Sequence, residues 1–335
     1  MTISGIGDLA QTILFRQQAG ALKKAVQTAS QELTTGRTAD RVQHRGGDTG
    51  PVLALESTLS RLAAFTRAGA DAALMATRMQ TALATVQDLL SGFATGLLNT
   101  GLIAEQQTLS ALAEDAGQRL DATIRTLNQR SGGRAMFAGI ETAGPALAEA
   151  SVFLDAVEAA VAASGATDAD AIAIAISDWF DDPTGFATSG YLGGAPLSPF
   201  RLSASESGEI SMTAADPALR DTLKALTTAA LLGRGIPADP VEAASLARIA
   251  GGNLLQSDSD RTELAARIGL VEGRIESAMT RNIAETAGLK MVLADLLAID
   301  PYEAATRLEA SQGQLETLFA LTARLSRLSL VDFLR

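Results

Sequence analysis

Apolar residues recur along both outer thirds of this chain at alternating spacings of three and four, the period of a helix with one buried stripe. Leu22, Val26, Ala29 and Leu33 form the first stripe, and Met75, Met79, Ala82, Val86, Leu89 and Phe93 the second. After a break at Asn99–Gly101, a third runs through Leu109, Leu112, Ala116, Leu120, Ile124 and Leu127. It leads into "SGGRAMFAGI" (Ser131 to Ile140), where Gly132 and Gly133 are expected to stop the helix. Near the C-terminus, Leu264, Ile268, Val271, Ile275, Ala278, Asn282, Leu289, Leu293 and Leu296 share one face over about nine turns. Asp300, Pro301 and Glu303 then read as a capped fresh start. The helix that follows carries Leu318, Leu321, Leu325 and Leu328 at coiled-coil spacing.

The middle reads differently. Two short helices are predicted over "PALAEASVFLDAVEAAVAA" and "DADAIAIAISDWF", with Trp179, beside Phe180, as the core of the small domain. A Gly/Pro/Ser-rich loop follows, then "FRLSASESGEISMT", whose alternation around Ser207–Gly208 predicts a hairpin. Asp216–Pro217 and Asp239–Pro240 each predict a helix start. The expected fold is mainly α: an elongated helical rod built from both chain ends, with a small α+β domain inserted over residues 140–245.

Charge sharpens that division. The chain of 335 residues carries a net charge of −11. Residues 141–220 hold twelve acids against two bases, Arg201 and Arg220, while the flanks come to +2 and −3. An acidic middle with no basic arm argues against nucleic acid as a partner. The N-terminus has neither a basic start nor a long apolar run, so no secretory signal peptide is expected. The uncharged run Leu89–Ala104 is too short to span a bilayer, so no membrane partner is expected either.

Candidate chemistry is sparse. The absence of cysteine excludes disulfides, thiolate nucleophiles and zinc ribbons. The one histidine, His44, sits between Arg41 and Arg45 and reads as a solvated surface residue. The glycine stretch lacks Gly-Lys-Ser/Thr and follows no strand, so it is neither a phosphate loop nor a dinucleotide fingerprint. Asp181–Asp182 precedes Pro-Thr-Gly and reads as a turn. Asp258 and Asp260 lack the glycine and glutamate of an EF-hand and read as a solvated helix start. Asn282 reads as a buried polar residue fixing helix register. No catalytic residue, cofactor or metal site is predicted.

From Arg281 to the C-terminus the chain resembles the bacterial flagellin superfamily. The resemblance lies in Arg281–Asn282, a Leu…Asp-Leu segment ending in Asp300–Pro301, and a final leucine-seamed helix closing on Ser329, Leu330, Phe333 and Leu334. The turn "ELTTGR" (Glu32 to Arg37) is similar to the other end of that superfamily. Within it, "GGRAMFAG" resembles the G-R-x-x-F-A/S-G signature of the hook-filament junction family, where helices end and an outer domain begins. After the Thr-Gly-Arg turn the family shows paired aspartates followed by proline. Here Asp48 stands alone and Pro51 is displaced, so that loop's contacts do not carry over.

The resemblance implies a structural, non-enzymatic subunit of the bacterial flagellum, exported by the flagellar type III apparatus with an export chaperone. It would form a ring of copies between hook-associated protein 1 and flagellin, outside the cell. It implies inner coiled-coil helices at 1–40 and 298–335, a rod domain at 41–139 and 246–297, and an outer domain at 140–245. The implied assembly seam is Leu22, Val26, Leu33, Leu318, Leu321, Leu325, Leu328, Phe333 and Leu334. The implied domain corner is Gly132, Gly133, Arg134, Phe137 and Gly139. A filament flagellin, a cytoplasmic coiled-coil signalling scaffold and an enzyme are the alternatives.

Overall fold

The computed structural model describes residues 4–44, 46–100 and 105–333, with side chains described for residues 10, 13–44, 46–100 and 105–324. The protein is mainly α. Helices α1 (Ser4–Thr35), α2 (Arg41–His44), α3 (Gly50–Leu90), α4 (Phe93–Leu98) and α5 (Gln106–Leu127) lead to a two-stranded hairpin. Its strands are β1 (Arg130–Ser131) and β2 (Arg134–Ala135). Then come α6 (Ala150–Ser164), α7 (Ala169–Asp181), a second hairpin of β3 (Phe200–Arg201) and β4 (Ser207–Gly208), and α8 (Pro217–Leu231). The chain closes with α9 (Pro240–Leu296) and α10 (Pro301–Phe333).

The aspartate starts work as their chemistry dictates. Asp216, Asp239 and Asp300 each accept a hydrogen bond from an amide two residues on, Ala218 (3.3 Å), Val241 (2.7 Å) and Tyr302 (2.8 Å). Each aspartate therefore satisfies a helix-start donor that would otherwise lack a partner, with proline next to it holding a helical φ. Glu303 contributes only its amide to Asp300, at 3.5 Å.

Contacts divide the chain into two units, residues 1–62 with 284–335, and residues 63–283. In the second unit α8 is the central element: eleven of its fifteen residues are buried, leaving one narrow strip of Pro217, Arg220, Asp221 and Lys224 facing outward. It packs on α5, α6 and α7. An aromatic group of Phe153, Phe180 and Phe186, with ring centroids 5.4–6.2 Å apart, fills the space beside it, and Trp179 meets Phe180 edge-on at 4.9 Å. Residues 140–245 thus share one core with flanking residues 63–139 and 246–283, where the sequence pattern suggests a separate insertion. Asn128 shows the stitching. Its carboxamide accepts from the amides of Ala146 and Leu147 and donates to the Leu147 carbonyl, all at 2.8–2.9 Å.

A buried cation lies in the same unit. Arg261, 3% exposed, donates to Thr222 Oγ1 (2.7 Å) on α8, Ser257 Oγ (2.8 Å) and Asp258 (2.9 Å) on α9, and Gln87 Oε1 (3.3 Å) on α3. Burial lowers its pKa from the ordinary arginine value, with Asp258 and Asp260 opposing the shift. The "QSDSD" stretch is therefore no helix start. It lies inside α9, and Asp258 is the counter-ion of that cation.

Candidate functional site

In the unit formed by the chain ends, α1 packs on α10. A single helix covers only a strip of its neighbour, and the burial follows that rule. Ala29, Ala304 and Leu318 are buried, while Leu22 and Val26 are half-buried. Leu33 and Leu321, placed by spacing on the same seam, lie 39% and 49% exposed. Ile13, Leu14 and Phe319 are exposed as well. Phe319 has the Lys23 ammonium 5.7 Å from its ring centroid. The predicted seam is thus covered at some positions and open at others. The side chains of Leu325, Leu328 and Phe333, and residue Leu334, lie outside the described residues.

The turn after α1 is tied to the α9–α10 junction. Thr38 donates its amide to the Leu297 carbonyl (2.9 Å), and Ile299 donates to Gly36 (3.2 Å), around an antiparallel bridge between Arg37 and Ala298. Glu32, 4% exposed, fastens this turn from inside. Its carboxylate accepts from the Ala39 amide at 2.9 Å and from the Thr38 hydroxyl at 3.4 Å, and faces Arg307 at 3.3 Å. A buried carboxylate left without such partners would be costly. Asp48 accepts from the Gly50 amide at 3.1 Å, a local turn bond.

At the corner, α5 ends at Leu127, before the glycines, and the chain enters the β1–β2 hairpin. Gly132 and Gly133, with φ of 58° and 80°, form its two-residue turn, where two successive positive φ values favour glycine. They are hairpin residues, not a helix stop. Met136 and Phe137 are buried at its base. Gly139 (φ 58°) leaves no room for a side chain: a Cβ there would meet the Ala195 carbonyl oxygen at 2.2 Å. Arg130 donates to the carbonyls of Gly133, Thr142 and Ala143, fastening the hairpin to the chain that follows. Arg134 is exposed at the turn.

The second hairpin also differs from its sequence reading. Ser207–Gly208 is the β4 strand rather than the turn. The turn lies at Ser203–Glu206, where the Glu206 carbonyl accepts from Leu202 and Ser203. Gly208 sits against the Phe200 ring, closer than any side chain would allow. Asn282 is buried as expected, yet its partner is the Leu202 carbonyl of this hairpin. The arginine that organises α3, α8 and α9 has no periodic signal, because Arg261 sits among polar neighbours in "QSDSDRTE".

His44 is exposed, and Asp182 accepts from the amide and hydroxyl of Thr184, which hold its pKa below the ordinary value. Asp181 pairs with Arg220 at 3.1 Å. Among the described residues, no group of three or more His, Cys, Asp or Glu could hold a metal ion. No described helix is long and apolar enough to cross a membrane.

Residues 256–334 match the sequence family described as the bacterial flagellin C-terminal helical region. No curated protein matches the chain. Among solved structures, the fold is similar to that of FlgL from Bacillus cereus, at 13% identity and a TM-score of 0.50, covering 71% of this chain and 97% of that one. A putative flagellar hook-associated protein from Vibrio parahaemolyticus aligns at 14% identity and a TM-score of 0.47, over 72% and 94% of the two chains. The chain is thus FlgL-like in fold and carries a flagellin-type C-terminal helical region.

Proposed function

We propose that this FlgL-like chain is an axial structural subunit of a bacterial flagellum, built as a ring of copies between hook-associated protein 1 and flagellin. It leaves the cell through the flagellar type III apparatus, held by an export chaperone until then. The exposed apolar positions of the α1–α10 pair carry the proposal. Leu14, Leu33, Phe319 and Leu321 stand exposed on a helix pair whose other apolar positions are covered in part, and apolar side chains left open in this way offer contacts to a partner. The match of residues 256–334 to flagellin supports the choice of partner: further helices of the same type. The corner hairpin with its buried Met136 and Phe137 favours the junction over the filament.

Antibody labelling of sheared flagella, viewed by electron microscopy, tests this. One labelled position between hook and filament is expected. Label along the whole filament would make the chain a filament subunit instead. No label on flagella would end the proposal.

A further inference from the structure

The second unit holds all of the protein's net charge. Residues 63–283 contain fifteen bases and twenty-six acids, a net of −11, while the terminal unit has twelve of each. Copies brought side by side would therefore repel through this unit unless specific opposite charges meet. The surface offers one such pair of features.

A groove of about 520 Å³ runs over α8 between α7 and α9. Its walls are apolar in part: Ile174 on α7 is 61% exposed, and Ile249 on α9 is half-buried. Its charges are Asp170, Asp221, Asp260 and Lys224. Lys224 is already neutralised, 3.0 Å from Asp221 and 3.3 Å from Ser177. Asp170 and Asp260 remain exposed carboxylates with no ion pair among the described residues. The complementary group is Arg134. It stands at the tight glycine turn of β1–β2, exposed, while Arg130 is spent on holding that hairpin in place. The hairpin holds the backbone of Arg134 in place, so only its side chain has to settle on docking, and its planar donors suit carboxylates.

We infer that the groove between α7 and α9 receives the Arg134 hairpin of a second copy of this chain, with Arg134 between Asp170 and Asp260. The contact is head-to-tail: hairpin on one copy, groove on the next. Such a heterologous contact generates a ring when its rotation closes. The charge pair offsets local repulsion between the acidic units and sets which neighbour face fits. Ile174 supplies the apolar wall against which the arginine stem lies.

This inference rests on the reading of the chain as a self-assembling subunit. Its test is sedimentation of the full chain at low salt, comparing wild type, R134E, D260R, an equimolar mixture of those two variants, and R78E. Arg78 is another exposed arginine, on α3, and its reversal makes the same change in net charge. Wild type is expected to self-associate, and R134E and D260R to do so about tenfold more weakly. The mixture is expected to recover part of that loss, because the hairpin of the R134E chain and the groove of the D260R chain again carry opposite charges. R78E is expected to stay near wild type. R134E matching wild type, or R78E matching R134E, would overturn the pairing and leave the flagellar reading intact. A wild-type chain that stays monomeric would also overturn the pairing, and the labelling of sheared flagella would then judge the reading alone.

Discussion

Asn282, on α9, donates its side-chain amide to the carbonyl of Leu202 at 2.8 Å, joining residues eighty positions apart. Both residues are buried, at 3% and 1% exposed, so neither group has water to fall back on. A bond of this kind contributes modestly when made and costs more when one partner is left alone. Asn282→Ala removes the donor and strands the carbonyl. Urea unfolding is expected to show a loss of about 1–3 kcal/mol. A midpoint equal to wild type would mean the carbonyl finds another donor.

The second expected outcome concerns the middle of the chain. Deleting residues 142–240 removes α8, and with it the surface that buries Leu109, Leu120 and Leu127 of α5. Stranding a row of buried leucines exposes more apolar surface than a marginally stable unit tolerates. The shortened chain is expected to lose its cooperative thermal transition. A sharp transition with full helix signal would show that α5 and α9 hold together without it.

A third concerns Glu32. Changing it to alanine removes the acceptor for the Ala39 amide and the partner of Arg307. Hydrogen exchange at Thr38, Ala39 and Ile299 is expected to speed up, with a stability loss of about 1–3 kcal/mol in the terminal unit. Exchange unchanged at those three amides would show that the Arg37–Ala298 bridge holds the turn unaided.

The fourth is Arg261→Ala. It leaves Thr222, Ser257 and Gln87 short of a donor and Asp258 without its counter-ion. Breaking a buried ion pair from one side costs about 3–5 kcal/mol, and the low end is expected because Asp258 is 43% exposed and can regain water. Calorimetry that finds a stabilised protein would reverse this account of the α3–α8–α9 junction.

These residues also mark how far the sequence could be read. Helix starts at Asp216, Asp239 and Asp300 were legible because an aspartate before proline is a local signal, complete within four residues. The long stripes were legible for the same reason, since each repeats every turn. The β1–β2 hairpin was not: two strands of two residues have no period, and Gly132–Gly133 after a helix looks the same as a helix stop. The merging of residues 140–245 into the second unit depends on α8, whose buried threonines, Thr222, Thr227 and Thr228, hide its nearly complete burial behind a polar sequence. Each returns its hydroxyl to a carbonyl four residues back, so no partner in sequence betrays it. The exposure of Leu33 and Leu321 was invisible too, because a stripe shows which face wants cover, not how much one neighbour can give.

The most direct test of whether the exposed apolar positions of α1 and α10 are covered in assembled flagella uses the absence of cysteine in the chain. A Leu321→Cys variant carries one thiol at a position that is 49% exposed on α10. Maleimide labelling is measured on the purified chain and on flagella isolated from cells that make only the variant. Fast labelling of the free chain and strong protection in flagella are expected. Equal labelling in both would contradict this, since position 321 would then face solvent after assembly.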